Sequence, residues 1–173
     1  MSGYALADEV LAEVSEALSA MPSMTAFKLQ KLMFYANAIH LVEEGEALAD
    51  FKAWDNGPVC PEIYARYKGH MVVPSGGERQ YELESSQSRA VAKAVAIYGN
   101  FSAATLVEMT HSESPWIETY AQGNRRWIDS DLIRAYYTTV FDEDEEWYRS
   151  VQSHKVDGMT STDIANRYSD HLS

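Results

Sequence analysis

A single cysteine, Cys60, in 173 residues excludes an internal disulfide, and cytoplasm is the default redox compartment. Basic residues are also scarce. Fourteen Lys and Arg stand against 26 Asp and Glu, a net charge of −12. That balance argues against a reader of phosphate backbones, which needs clustered cations. The pairs Lys28/Lys31 and Arg125/Arg126 are too sparse to supply one. No apolar run reaches the roughly 20 uncharged residues that span a bilayer. The early segment carries Asp8, Glu9, Glu13 and Glu16 with no Lys or Arg, the opposite of a secretory n-region. The expectation is a cytoplasmic protein with no membrane partner. The chain also lacks a glycine-rich phosphate cradle and a paired-histidine metal signature on a helix.

Apolar and aromatic residues are plentiful: 46% of the chain is hydrophobic, with 4 Trp, 11 Tyr and 5 Phe. A chain of this length buries about two-thirds of its unfolded surface, which fits one domain. The densest stretch is 27–41, where Leu29, Leu32, Met33, Ala36, Ile39 and Leu41 keep helical spacing and Phe34 and Tyr35 widen the stripe. Such a helix is too apolar for a surface, so it predicts a buried central helix. Thr25 is its expected N-cap and Gly45 its stop. Around it the spacing predicts helices over 4–19, from Pro61 to near Gly69, over 85–98, after Ser102, from Ser114-Pro115, and after Asp129 or Ser130. Residues 56–58 read as a turn. Residues 79–83 are expected to pair with 50–54. The fold class is mainly α, one multi-helix domain over 1–141 with at most a small antiparallel sheet. Residues 142–173, which open on five consecutive acids, read as an appendage.

Candidate chemistry is thin. His40, His70, His111, His154 and His171 are scattered, so a metal site would need ligands converging from separate elements. His111 has an acid two residues on, Glu113, and capping or core hydrogen bonding is its expected role. Nothing local lowers the thiol pKa of Cys60. Lys28 and Lys31, one turn apart, are expected to keep one edge of the central helix wet. Asn37 and His40 are expected to form an internal polar network. No catalytic, metal or cofactor residues are assigned, and the expectation is a protein that is not an enzyme.

Three segments carry a family resemblance. They are Lys28-Leu29-Gln30-Lys31-Leu32-Met33-Phe34-Tyr35-Ala36, Trp54-Asp55-Asn56-Gly57-Pro58-Val59-Cys60-Pro61-Glu62-Ile63-Tyr64, and Leu106-Val107-Glu108-Met109-Thr110-His111-Ser112-Glu113-Ser114-Pro115-Trp116. Together they resemble the opening helix, the Trp-x-x-Gly-Pro-Val-x-Pro-Glu element and the Leu-Thr-His-x-Glu-x-Pro-Trp element of the Panacea domain. The match in order and spacing covers about 25–141. Asn56 departs from the aromatic common before the Gly-Pro, and Met109 from the usual Leu.

That resemblance implies an antitoxin of a bacterial or phage type II-like toxin–antitoxin pair that neutralises its toxin by direct binding. Its alternative is a SocA-like proteolytic adaptor delivering a partner to a ClpXP-type protease. The family positions are Lys28, Leu29, Gln30, Lys31, Tyr35, Trp54, Gly57, Pro58, Val59, Pro61, Glu62, Tyr64, Thr110, His111, Glu113, Pro115 and Trp116, with scaffold or partner-binding roles. Partner contact is expected in Asp142, Glu143, Asp144, Glu145, Glu146, Trp147 and Tyr148. There an acidic run attracts a basic toxin surface and two aromatics offer anchors.

Overall fold

The computed structural model describes residues 3–17, 24–73 and 80–142. In them the chain forms α1 (Gly3–Ala17), α2 (Ala26–Glu44), β1 (Lys52–Trp54), β2 (Gly57–Val59), α3 (Pro61–Tyr67), α4 (Ser85–Tyr98), α5 (Ala103–His111), α6 (Ser114–Ala121) and α7 (Ser130–Asp142). The mainly helical class with one small antiparallel sheet agrees with the sequence pattern.

α2 is the central helix. The Thr25 hydroxyl accepts the Lys28 N–H at 3.1 Å, and Gly45, at φ +78°, donates to the Leu41 carbonyl at 3.0 Å. Between these caps every residue from Leu29 to Leu41 is buried. Its main neighbour is α4, which turns Ala90, Val91, Ala94 and Val95 towards it. α1 covers α4 and α2 with Leu6, Val10 and Val14, while α7 and α5 close the other sides. An aromatic layer fills the centre: Tyr35 stacks on Tyr98 at 3.9 Å, and Phe34 meets Phe51 edge-on at 5.3 Å.

Two polar side chains inside α2 find backbone partners in the loop that follows, while Asn37 Nδ2 is buried without one among the described residues. Asn37 Oδ1 accepts the Leu48 N–H at 2.7 Å, and His40 Nδ1 lies 2.6 Å from the Glu46 carbonyl. The internal network expected for this pair is present, and it pins the loop leaving α2 back onto the helix.

The sheet differs from expectation. β1 pairs with β2, in the register Lys52↔Val59, Ala53↔Pro58 and Trp54↔Gly57, rather than with 79–83. The turn is Asp55-Asn56, one residue earlier than expected, and Pro58 sits inside a strand. Ala53 shows why a proline is tolerated there. Its N–H donates to the Arg126 carbonyl at 2.9 Å and its carbonyl accepts the Arg125 N–H at 2.8 Å, so both groups point away from β2. Pro58 therefore faces no ladder acceptor, and its missing N–H costs nothing.

Other local readings need adjusting. Ser114 is the first residue of α6, and Glu113 holds the N-cap position. In α5 only Leu106 and Thr110 are buried, with Val107 and Met109 half-exposed. At α7, Asp129 Oδ1 accepts the Asp131 N–H at 2.8 Å.

Candidate functional site

The three sequence segments that stand out along the chain meet in space. α2 lies against the outer edge of β2, where a third strand would otherwise be needed. The Gln30 side chain takes that strand's place: its Nε2 donates to the Cys60 carbonyl at 3.1 Å and its Oε1 accepts the Cys60 N–H at 2.8 Å. One turn on, Lys31 Nζ donates to the Pro58 carbonyl at 3.0 Å. The expectation that Lys31 keeps an edge wet is overturned, since Lys31 is 0% exposed. Burial pushes its ammonium down from the ordinary 10.5 to about 7. Lys28, half-buried, has its pKa lowered by the same cause.

Gly57 is where hairpin, α2 and α5 come closest. Its φ is +105°, and a Cβ placed there would lie 2.7 Å from Thr110 Oγ1 and 2.9 Å from Lys31 Cε. Only glycine fits.

The third segment ties to the first two through two further groups. Glu113, 1% exposed, accepts the Tyr35 hydroxyl at 2.5 Å on one carboxylate oxygen and the Tyr137 hydroxyl at 2.5 Å on the other. Charge-assisted bonds of this kind are the strong ones. They join α2, α7 and the start of α6. Trp116 Nε1 donates to the Trp54 carbonyl at 2.8 Å, joining α6 to β1. His111 neither caps nor forms a core hydrogen bond among the described residues. Its ring stacks on Trp116 at 4.2 Å, and its Nε2 is buried without a partner there. Tyr120 continues the stack at 4.6 Å from Trp116 and donates its hydroxyl to Asp55 Oδ1 at 2.6 Å.

The outer face of this junction is a cleft of about 600 Å³. Gln30, Val59 and Ile63 line it together with the aromatic rings of Trp54 and Tyr64. Trp54 and Tyr64 meet edge-on at 4.8 Å. Phe27 and Met71, 54% and 88% exposed, line it too. Arg125 completes the wall with its guanidinium 4.6 Å from the centre of the Trp54 ring. Pockets of this size and composition are ordinary binding sites.

The family positions therefore divide by placement. Gln30, Trp54, Val59 and Tyr64 line the cleft. Leu29, Lys31, Tyr35, Gly57, Pro58, Thr110, Glu113 and Pro115 are buried behind it. Pro61 and Glu62 open α3, and Glu62 Oε1 accepts the Gly3 N–H, which ties α3 to α1. Phe27, Met71 and Arg125 are cleft residues that sequence reasoning missed. No periodicity marks a loop arginine, and Phe27 reads as one more apolar position of α2. Of the acidic segment, Asp142 ends α7, and Glu143, Asp144, Glu145, Glu146, Trp147 and Tyr148 lie outside the described residues.

The chain matches the family model described as antitoxin SocA-like, Panacea domain, over residues 29–117. It belongs to that family. The matched span runs from Leu29 to Ile117 and holds the contacts of Gln30, Lys31 and Gly57, the Tyr35–Glu113 bond and the Trp54–Trp116 bond. No curated protein and no solved structure matches the chain. Two observations bear on chemistry in this Panacea domain. The Cys60 thiol is buried and its pKa is pushed up to about 11, mainly by desolvation, so it is protonated at neutral pH. Among the described residues, no three His, Cys, Asp or Glu side chains are grouped to hold a metal ion. No single helix among them is long and apolar enough to cross a membrane.

Proposed function

We propose that this protein is the antitoxin of a bacterial or phage toxin–antitoxin pair and neutralises its toxin in the cytoplasm by direct protein–protein contact rather than by an enzymatic reaction. Family membership over residues 29–117 carries this reading. The chemistry of that junction supports it. Lys31, Glu113 and the Gln30 amide, the polar groups an enzyme would use, are turned inward onto backbone and tyrosine partners. What the junction presents outward is an aromatic cleft, the kind of surface that anchors a protein partner. The acidic segment from Asp142 to Tyr148 adds a second contact, to a basic patch on the toxin.

Co-expression with the protein encoded by the neighbouring gene tests the proposal. The neighbour alone should arrest growth, and this chain should restore it while co-purifying with the neighbour. Rescue that disappears in cells lacking a ClpXP-type protease would instead make the protein a proteolytic adaptor. Failure of every adjacent protein to be toxic would overturn the antitoxin reading.

A further inference from the structure

Arg125 is the one non-glycine residue with positive φ among the described residues, at +65°. Left-handed backbone is uncommon for such a residue and costs on the order of 1 kcal/mol or more. The strand contact holds it there, because the Arg125 N–H must reach the Ala53 carbonyl. That backbone turn places the guanidinium over Trp54, on the wall of the cleft. Arg125 is the one Lys or Arg among the described residues that line the cleft. The one acid lining it, Asp55, already accepts the Tyr120 hydroxyl. In a chain of net charge −12, the apolar cleft thus offers a guanidinium held against an aromatic ring.

We infer that the cleft docks a short segment of the toxin in which a large apolar side chain is followed or preceded by an Asp or Glu. The apolar anchor enters between Phe27, Trp54, Tyr64 and Met71, and the carboxylate takes the guanidinium face of Arg125. This rests on the protein-neutraliser reading and adds the chemistry of the partner segment. An arginine stacked on an aromatic ring loses little rotamer freedom when it binds a carboxylate bidentately, which makes it a good reader of that group. A basic segment would instead meet Arg125 as a like charge.

The test uses the full chain, isotope-labelled, and two synthetic eight-residue peptides that alternate leucine or phenylalanine with either glutamate or lysine. The glutamate peptide should shift the Trp54 indole and Tyr64 resonances and bind about tenfold more tightly than the lysine peptide. Added salt should narrow that difference. Arg125→Asn is the decisive variant, because asparagine tolerates left-handed backbone while removing the cation. It should keep the melting temperature and lose about tenfold in affinity for the glutamate peptide. Equal binding of the two peptides, or unchanged affinity in Arg125→Asn, overturns the inference. Growth rescue separates the two levels. If the wild type and Arg125→Asn rescue equally, the cleft assignment fails and the antitoxin reading stands. If no neighbour is toxic while the peptide preference holds, the antitoxin reading fails and with it the toxin as occupant, and what stands is the preference of the cleft for an apolar segment carrying a carboxylate.

Discussion

Lys31 and Glu113 are a buried cation and a buried carboxylate serving separate partners. Lys31 has its folded pKa at about 7, below its ordinary 10.5. Between those values the unfolded chain carries the extra proton, so stability rises with pH across the window, and the cost of a buried ammonium is full only below it. Relative to Lys31→Met, the wild type should gain up to about 1.4 kcal/mol per pH unit from pH 7 to about 8.5, measured by urea denaturation. A flat difference would mean that the amine stays charged in the fold. Glu113→Gln tests the carboxylate. The amide presents one acceptor oxygen where two hydroxyls now donate, so the variant should lose about 1–3 kcal/mol of stability. None of this was legible in the sequence. A lysine three residues after another on a helix reads as a wet edge, and only the position of Pro58, 27 residues later, puts Lys31 in the core.

At the scale of elements, legibility followed the range of the forces. Thr25, Gly45 and Ser102 act within one turn of their own helices, and each stands at the helix end expected for it. The hairpin was misplaced because its strands are three residues long and one contains a proline. What holds them comes from afar: Gln30 and Lys31 on one edge, residues 125–128 on the other. The three family segments were legible as segments, but their meeting was not, and the cleft exists only where they meet. Gly57 tests that meeting. Gly57→Ala adds a methyl group against Thr110 and Lys31 at a positive φ, so it should cost about 3 kcal/mol or more. Thermal melting would register this as a large drop. A variant with wild-type stability would show that hairpin and α5 can separate freely.

For the whole molecule, the appendage expected over 142–173 makes a prediction of its own. The domain's core is closed by α7, whose Tyr137, Val140 and Phe141 are buried. A chain ending after Asp142 should therefore melt within a few degrees of the full protein while losing growth rescue. Full rescue by the shortened chain would remove the acidic segment from the interface. The pairing of 125–128 along β1 has a consequence for synthesis. Arg126 accepts from Ala53, and Ile128 donates to Phe51 at 2.8 Å, so the hairpin and the cleft wall are finished by residues made some 75 positions after the strand they complete. On the ribosome, a nascent chain that already contains α2, the hairpin and α3 still lacks Arg125 and the Trp116 anchor. On the proposed antitoxin reading, the cleft cannot receive a partner until this late stretch has been made. Neutralisation through it would then require synthesis of this protein to run ahead of its partner's.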